Sequence, residues 1–285
     1  MAFFIEGDDF ASWMEETDPK QNVRKASDYQ AQVVDYFHGG IREKCDNLPW
    51  RGTVGKLGFR EGEVTLWGGF NGGGKSLVLG QACVGFVRQH KRVVIASMEM
   101  KPVLTCARMI RQEYGIKPEK DAIKNFHQWT DNGLWLYAKQ GAVAIKMMLA
   151  VIRYSAEVLK ANHFVVDSLM RCGLADDDYT GQKNFISSLC DIAQDTGIHI
   201  HIVAHSRKLK DETQLPSKMD VKGSGTMTDL VDNVITVWRN KKKEDDPRLH
   251  IDEASCVLIV DKQRNGEWEG KIGLNFNQEF TRFDE

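Results

Sequence analysis

Short apolar runs rich in β-branched residues alternate along most of the chain with longer stretches in which apolar residues recur every three or four positions. Runs that are apolar throughout are typical of strands whose two faces are both covered by helices. From Glu63 onward the two patterns follow one another in turn, which predicts an α/β fold with a doubly wound, mainly parallel sheet. The predicted strands span residues 64–69, 92–98, 134–137, 163–169, 199–206, 234–240 and 256–263.

Helix-like segments lie between these strands, and two of them have the clearest periodicity. The first spans residues 142–161, and the second spans 181–195 and is followed by Gly197. Glycine commonly ends a helix because it adopts the left-handed conformation without a steric penalty. The final segment "IGLNFNQEFTRF", residues 272–283, predicts a closing β-hairpin.

The first part of the chain has a different character. Residues 1–26 are charged and weakly patterned, whereas "SDYQAQVVDYF", Ser27–Phe37, has apolar residues at helical spacing and a serine suited to the N-cap. Gly39 and Gly40 then end the pattern. We therefore expect a tail with one linker helix over residues 1–47, followed by the α/β domain over residues 48–285.

Composition excludes few classes of protein but narrows the setting. Of 285 residues, 42% are hydrophobic and 27% are charged, which is ordinary for a globular protein. The net charge of −2 indicates no partner, so a nucleic-acid contact would need a local basic cluster. The six cysteines form no Cys-x-x-Cys pair, and neither a leader peptide nor an apolar run of membrane-spanning length is evident. These features predict a cytoplasmic protein with reduced thiols and no membrane partner.

A glycine-rich turn follows the first predicted strand. Residues 69–76, Gly-Phe-Asn-Gly-Gly-Gly-Lys-Ser, match G-x-x-x-x-G-K-[ST] between a strand and a helix, as the motif requires. Bare backbone N–H groups and the helix N-terminus would cradle phosphates, Lys75 would reach the β- and γ-phosphates, and Ser76 would hold Mg²⁺. The motif therefore predicts ATP and Mg²⁺ as cofactors. The predicted contacts are Gly69, Asn71, Gly72, Gly73, Gly74, Lys75, Ser76 and Leu77.

Two further strands end in acidic residues suited to the same site. Asp167 ends an apolar strand in the manner of a Walker B acid, so we predict that it shares the metal ion with Ser76. Ser168 follows, where many ATPases carry a second acid, so the water-activating base must come from elsewhere. Glu99 ends the strand after the phosphate loop and is the candidate, the alternative being a capping or surface glutamate.

Other polar residues lie at strand ends and carry weaker signals. His205 could sense the γ-phosphate, whereas His199 and His201 alternate with apolar residues and are expected on a packed or edge face. Lys262 and Arg264 end the last long strand. They are either solvated surface or an arginine finger that is supplied to a neighbour's ATP.

Five stretches in this order make the chain resemble the RecA-like motor domain of DnaB-type hexameric replicative helicases, including the phage and Twinkle-like branch. The resemblance covers about Leu48 to Phe283. The stretches are "GEVTLWGGFNGGGKS", "VVIASMEM", "FVVDSL", "AHSRKLKDE…VKGSGTMTDLVDNVITVWRN" and "DKQRNGEWEG".

The resemblance implies a function and a role for each matching residue. An ATP-dependent hexameric ring would move along single-stranded DNA, in the 5′→3′ direction, and unwind duplex. Glu99 becomes the base and His205 the phosphate sensor. Lys262 and Arg264 become the finger on the adjacent subunit. By the same resemblance Arg239 and Phe276 flank the adenine, and Ser27–Phe37 is the helix that grips the next subunit.

The segment from Arg207 to Lys222 matches the loop that tracks single-stranded DNA in the family, and lysines there would contact backbone phosphates. A solvated loop of mixed charge is the plain alternative. Separate primase, loader or polymerase partners are compatible with this resemblance. The implied DNA-binding residues are Arg207, Lys208, Lys210, Lys218 and Lys222.

Three other functions remain open at the level of sequence. A RecA- or RadA-like recombinase would use the same fold to form filaments on DNA. A DNA-packaging motor would usually carry an acid directly after Asp167, which this chain lacks. A P-loop assembly protein would bind ATP without unwinding DNA.

Overall fold

The computed structural model of the chain describes residues 25–38, 45–174, 178–206, 215–216 and 225–285. The chain divides into two compact units, Met1–Cys45 and Asp46–Glu285. The five predicted DNA contacts lie outside the described residues, as do the two glycines expected to end the linker helix. These are Arg207, Lys208, Lys210, Lys218, Lys222, Gly39 and Gly40.

Strands and helices alternate through most of the second unit, as the sequence predicts. The strands are β1 Val64–Gly68, β2 Val93–Ser97, β3 Leu134–Leu136, β4 His163–Asp167, β5 His199–Val203, β6 Asn233–Arg239, β7 Cys256–Gln263, β8 Gly270–Asn277 and β9 Arg282–Asp284. The α-helices, numbered from the first unit, are α1 Gln30–His38, α2 Lys75–Arg88, α3 Pro102–Tyr114, α4 Lys120–Thr130, α5 Ile145–Glu157, α6 Tyr179–Thr196, α7 Gly225–Leu230 and α8 Lys241–Asp245.

The strands of the described residues form one sheet in the order β3-β2-β4-β5-β1-β6-β7-β8-β9. The first six in this order are parallel, and β7, β8 and β9 are antiparallel to their neighbours. The predicted doubly wound, mainly parallel sheet is confirmed. The predicted terminal hairpin is also confirmed, because β8 pairs with β9 from Asn275↔Asp284 to Asn277↔Arg282.

Helices cover both faces of the sheet, which explains why the parallel strands are apolar throughout. One face packs against α5, α6 and α7 through residues such as Ile152, Leu189 and Met227. The other packs against α2, α3 and α4 through residues such as Phe86 and Phe126. Because six neighbouring strands are parallel, their carboxyl ends lie together at one edge of the sheet, here called the carboxyl edge. Their starts lie together at the opposite edge, here called the amino edge.

The predicted helix boundaries differ from the observed ones at two helices. Helix α5 is shorter than predicted: it ends at Glu157 with Val158 as its C-cap, and Lys160, three residues later, has a left-handed φ of 53°. Helix α6 begins earlier because Asp178 caps it, accepting a 2.8 Å hydrogen bond from the Gly181 N–H. Gly197 ends α6 with a φ of 76°, as predicted.

The first unit contains a short 3₁₀ helix, Ala26–Tyr29, which continues into α1. The prediction that Ser27 is the N-cap is wrong, because Ser27 lies inside this 3₁₀ helix. The carboxylate of Asp28 accepts the backbone N–H of Lys25 at 3.2 Å instead. On α1, the apolar side chains of Val33, Val34 and Phe37 are at least half exposed.

The state of the cysteines and the apolar character of the helices can be compared with the sequence-based expectations. All six cysteines are free thiols. Among the helices of the described ranges, none combines the length and the apolar character that a membrane crossing requires.

Candidate nucleotide site

The glycine-rich turn connects β1 to α2 at the carboxyl edge, and its backbone explains its sequence. Gly69, Gly72 and Gly74 have φ angles of 146°, 70° and 85°. A Cβ on Gly69 would lie 2.4 Å from the carbonyl oxygen of Val237, so no larger residue fits there. These glycines therefore provide a left-handed backbone and a close approach that side chains would prevent.

Lys75 lies inside this turn and is 5% exposed. Its ammonium donates to the carbonyl oxygens of Gly69 and Phe70, at 2.8 Å each, and lies 3.3 Å from Nδ1 of His205. Burial lowers the pKa of Lys75 to about 8, although the nearby carboxylates of Asp167 and Glu99 oppose this shift. The ammonium is thus a partly desolvated cation within a cradle of backbone groups, where an anionic ligand would stabilise it.

Ser76 and Asp167, the two residues predicted to hold the metal ion, are joined by a side-chain hydrogen bond. Burial raises the pKa of Asp167 above its ordinary value, while a hydrogen bond from the Ser76 side chain and the charge of Lys75 oppose the shift. A hydroxyl and a carboxylate are oxygen donors of the kind that Mg²⁺ prefers. Within the described ranges no group of three or more His, Cys, Asp or Glu could hold a metal ion. The pair therefore fits an ion that takes its other ligands from a nucleotide and water.

Glu99, the predicted base, lies at the carboxyl edge beside Ser168, Arg171 and His205. Its Oε1 atom lies 3.0 Å from Oγ of Ser168, 3.6 Å from Nε of Arg171 and 3.9 Å from Nε2 of His205. Glu99 is not a helix cap, because Lys101 occupies the N-cap of α3. The structure therefore brings Glu99, His205 and Lys75 together at one end of the cradle.

Two arginines at this edge were missed by the sequence reasoning. Arg171 belongs to a 3₁₀ helix, Leu169–Arg171, directly after β4. Arg108 on α3 lines a narrow cavity with Ser76 and Asp167, where burial lowers its pKa and Asp167 opposes that shift. No motif spacing marks either arginine, since both approach the site only through the packing of neighbouring elements.

Arg239 and Phe276 also lie near the phosphate turn. Arg239, at the end of β6, donates to the carbonyl oxygen of Gly72 at 3.3 Å and pairs with Glu244. The ring of Phe276 is 42% exposed and packs edge-on against Phe283, with ring centroids 5.5 Å apart. Contact with an adenine remains a prediction for both residues.

Phe283 supports the turn from the last strand. Its ring lies 3.6 Å from the position of a Cβ on Gly74. Its backbone exchanges two hydrogen bonds with the side chain of Gln81, at 2.7 and 2.9 Å, and accepts another from the indole of Trp50 at 2.8 Å. The last strand is therefore fastened to α2, and the sequence reasoning did not find this role.

Lys262 and Arg264, the predicted finger pair, lie at the opposite edge of the sheet. β7 runs antiparallel to β6, so Gln263 pairs with Asn233 at the start of β6. Arg239 at the other end of the same strand contacts the phosphate turn. The seven residues of β6 extend roughly 23 Å at about 3.3 Å per residue, so the finger pair is remote from the phosphate turn of its own chain.

The finger pair contacts the end of α7, the helix that follows the predicted DNA segment. The ammonium of Lys262 donates to three carbonyl oxygens, those of Thr228, Asp229 and Val231, at 2.7 to 2.9 Å. The Arg264 guanidinium donates to the carbonyl oxygens of Asp229 and Leu230 at 3.1 Å. Cations at a helix C-terminus satisfy its free carbonyl groups.

Arg264 also pairs with Asp232 at 3.1 Å, and its side chain remains 46% exposed. The carboxylate of Asp232 accepts the backbone N–H of Val64, at the start of β1, at 2.9 Å. The guanidinium is therefore tied to the amino edge while it keeps a surface open to solvent.

A network of three buried histidines, here called the histidine network, lies at the amino edge. The indole of Trp67 donates to Nδ1 of His201 at 3.1 Å, which leaves the His201 proton on Nε2. That N–H donates to Nδ1 of His163 at 3.1 Å, and Nε2–H of His163 donates to Asp46 at 3.0 Å. Lys91 pairs with the same aspartate at 2.9 Å.

His199 completes the network. Its Nδ1–H donates to the carbonyl oxygen of Arg60 at 2.6 Å, and its Nε2 accepts from Thr65 at 2.8 Å. Burial lowers the pKa of His199 to about 3 and lowers those of His163 and His201 as well. All three rings are therefore neutral, and the expectation that His199 and His201 share a packed face is confirmed.

A family of known proteins matches most of this chain. Residues 55–285 match the family described as the DnaB-like helicase C terminal domain. The chain belongs to this family. The family resemblance expected from the five sequence stretches is confirmed.

One relative of this DnaB-like chain is a longer protein. A DNA helicase/primase of Enterobacteria phage T3 is 25% identical over 245 residues, which cover 78% of this chain and 42% of the phage protein. This chain therefore spans less than half the length of that relative.

Two solved structures show the same fold at low sequence identity. The ATPase domain of G40P has a TM-score of 0.73 and 16% identity, and covers 92% of this chain and 99% of its own. A DnaB-like replicative helicase, solved to show its interactions with primase, has a TM-score of 0.72 and 14% identity, and covers 96% of this chain and 69% of its own. The RecA-like ATPase fold is confirmed.

Proposed function

We propose that this chain is the ATP-driven motor of a replicative DNA helicase, which assembles as a ring, moves along single-stranded DNA and unwinds duplex. The observation that carries the proposal is the separation of two half-sites within one sheet. Lys75, Asp167 and Glu99 lie at the carboxyl edge, and Arg264 lies at the amino edge. A site that needs both halves requires two subunits.

The carboxyl edge supports binding of ATP with Mg²⁺. Backbone N–H groups of the phosphate turn and the ammonium of Lys75 would hold the phosphates, and Ser76 and Asp167 would hold the metal ion. When bound, Mg²⁺ neutralises charge that develops on the phosphate oxygens. Asn71 and Leu77 belong to the same turn and the start of α2. Arg239 and Phe276 would flank the adenine, because Arg239 contacts the turn at Gly72 and Phe276 packs against Phe283, which lies beside Gly74.

Glu99 is the proposed base for the attacking water. Through His205, its carboxylate is connected to the ammonium that would hold the γ-phosphate, because His205 lies 3.9 Å from Glu99 and 3.3 Å from Lys75. A group between the base and the phosphate-binding lysine is well placed to respond to the γ-phosphate, which is the role proposed for His205. The Glu99 carboxylate would orient the water and take its proton.

The finger pair would act on the nucleotide of the adjacent subunit. Arg264 is not expected to reach a nucleotide bound by Lys75 of its own chain, because the length of β6 separates the two residues. The exposed part of the Arg264 side chain would face the neighbour's γ-phosphate, and Lys262 would hold α7 in register with it. Residues 1–47 would form the tail and linker helix, and the exposed apolar residues of α1 within them would bind the next subunit.

The remaining elements of the proposal rest on family membership. Residues Arg207, Lys208, Lys210, Lys218 and Lys222 would contact single-stranded DNA, with translocation in the 5′→3′ direction. Primase, loader and polymerase activities would come from other proteins or other parts of a longer one. The site of action would be the cytoplasm, that of the host if the protein is phage-encoded.

Glu99→Gln tests the proposal. We expect ATP hydrolysis to fall by about a hundred- to ten-thousand-fold, because a general base contributes that much, while ATP binding persists. Glu157→Gln, on α5 and remote from the turn, is the matched control and should hydrolyse ATP normally. Electron microscopy with a non-hydrolysable ATP analogue should show closed rings. Filaments on DNA with strand pairing would contradict the helicase proposal and favour the recombinase.

A further inference from the structure

The contacts of Glu99 are unevenly distributed between its two carboxylate oxygens. Ser168, Arg171 and His205 all approach Oε1, at 3.0, 3.6 and 3.9 Å. Within the part of the chain that the structure describes, no hydrogen bond falls on Oε2. A carboxylate held through one oxygen keeps the other free to orient a water molecule and to accept its proton.

Ser168 and Arg171 belong to one short, well-packed turn after β4. The backbone N–H of Arg171 donates to the carbonyl oxygen of Ser168 at 3.0 Å, which closes the 3₁₀ helix. Ser168 is fully buried, and Leu169 and Cys172 anchor the turn in the core at 3% and 0% exposure. A donor on such a turn has little freedom to move, so it can fix the group that it contacts.

Sheet register explains how a turn after β4 reaches an acid after β2. The two strands are neighbours, and Ser97 pairs with Asp167. The chain segments that leave β2 and β4 are therefore side by side at the carboxyl edge. Ser168 occupies the position directly after the metal-side acid, and its hydroxyl donates to the base that the neighbouring strand supplies.

We propose that Ser168 and Arg171 are positioning residues for Glu99, which fix Oε1 so that Oε2 faces the attacking water. This inference rests on the proposed function, because it takes Glu99 as the base. Ser168 supplies the short hydrogen bond and sets the orientation. Arg171 supplies a longer, half-exposed charge contact and restrains the carboxylate against rotation.

The first measurement separates binding from turnover in steady-state ATP hydrolysis. Ser168→Ala should lower kcat by about ten- to a hundredfold, because a misplaced catalytic group loses rate steeply. Arg171→Met should lower kcat by about threefold, since a half-exposed ion pair contributes less. KM and the affinity for a non-hydrolysable ATP analogue should remain within about twofold of wild type, because neither residue is proposed to contact the nucleotide.

Conservative and control variants test whether these effects come from the proposed contacts. Arg171→Lys should recover part of the lost kcat, because its ammonium retains the positive charge. Ser155→Ala and Arg153→Met are matched controls on α5, away from the site. Ser155 is buried like Ser168, and its hydroxyl donates to a carbonyl oxygen. Arg153 forms ion pairs, as Arg171 does. Both controls should keep the wild-type kcat.

A double-mutant cycle with Glu99→Gln decides between positioning and an independent role. If Ser168 acts through Glu99, Ser168→Ala should cause no further loss in the Glu99→Gln background. Full additivity of the two losses, or wild-type kcat in both Ser168→Ala and Arg171→Met, would overturn this inference while leaving the proposed function intact. Normal hydrolysis by Glu99→Gln alone would instead overturn the base assignment, and this inference with it.

The buried serine needs a control for folding. Thermal denaturation with and without the ATP analogue shows whether Ser168→Ala is folded and binds nucleotide. If it is not folded, Arg171→Met and its cycle with Glu99→Gln carry the test, because Arg171 is half exposed. A kcat of Arg171→Met equal to wild type would then overturn the inference.

Discussion

The two edges of the sheet both carry buried polar residues, but they differ in how those residues are satisfied. At the carboxyl edge, Lys75 is a buried cation with a lowered pKa, and Asp167 is a buried acid with a raised pKa. At the amino edge, His163, His199 and His201 are neutral, and each ring nitrogen has a hydrogen-bond partner.

This difference separates a site prepared for a ligand from a structural network. Shifted pKa values occur at both edges, so a shift alone does not identify function. At the carboxyl edge the Lys75 ammonium is held by neutral carbonyl oxygens and the Asp167 carboxylate by the Ser76 hydroxyl, a local charge imbalance that a phosphate and a metal ion would neutralise. The histidine network has no such imbalance, because the carboxylate that it contacts, Asp46, is already paired with Lys91.

The largest difference in ATP turnover should appear when one lysine from each edge is replaced by alanine in separate variants. Lys75→Ala should reduce ATP turnover below detection, because it removes the cation that is proposed to hold the phosphates. Lys91→Ala should keep wild-type turnover and lose about 1 kcal/mol of unfolding free energy, since it removes a partly buried ion pair. Hydrolysis assays and urea denaturation of both variants check this contrast. Loss of turnover in Lys91→Ala would show that the histidine network also serves catalysis.

Arg264→Ala should have the next largest effect, and only in assembled subunits. An arginine finger contributes about a thousandfold or more, so the pure variant should be nearly inactive. In mixtures with wild type, activity should fall faster than the fraction of variant subunits, because each variant spoils its neighbour's site. A strictly proportional decline would mean that Arg264 serves its own subunit or none.

Acid should destabilise the protein through the histidine network at the amino edge. The folded pKa values of the histidines lie below the unfolded value of about 6.5, so the unfolded chain binds more protons below that pH and stability falls with it. Each histidine costs about 1.4 kcal/mol per pH unit until its folded pKa is reached.

His201→Gln tests the sign and size of this slope. Glutamine keeps an acceptor for Trp67 and a donor for His163 but cannot titrate. The loss of unfolding free energy between about pH 6 and pH 5 should therefore shrink by about 1.4 kcal/mol. Urea denaturation across this range measures it, and an unchanged slope would show that His201 does not take up a proton on unfolding.

The smallest effect concerns DNA affinity, through the segment that follows β5 in the chain. Lys208→Ala with Lys210→Ala should flatten the salt dependence of single-stranded DNA binding by about 0.7 unit of slope per lost phosphate contact. Basal ATP turnover should stay unchanged, while its stimulation by DNA is lost. Fluorescence anisotropy over a range of salt concentrations gives the slope. An unchanged slope would remove both lysines from the DNA-binding set.

The strands and the phosphate turn could be predicted because their signals are local. Gly69 is needed for a backbone conformation, and Asp167 ends a run of apolar residues, so both are visible in one short stretch. The Ser27 cap was wrong because a 3₁₀ helix begins at Ala26 and contains Ser27, and helical periodicity does not reveal this additional turn.

Contacts made by distant segments could not be predicted. Arg171 reaches Glu99 only because β2 and β4 are neighbours in register. Phe283 supports Gly74 only because the last strand folds back onto α2. The edge on which Arg264 lies depends on the direction of β7, which periodicity does not reveal.

If Arg264 acts on the nucleotide of the neighbouring subunit, the placement of Lys75 and Arg264 at opposite edges also limits the symmetry of any assembly that hydrolyses ATP. A contact that joins the amino edge of one subunit to the carboxyl edge of the next is heterologous, because its two surfaces are unlike. A two-fold dimer pairs each surface with its own copy and so completes no such site. In an open chain one terminal subunit lacks a partner arginine, whereas in a closed assembly every subunit has one. Turnover per subunit would therefore report closure, since each open chain would leave one nucleotide without the proposed finger.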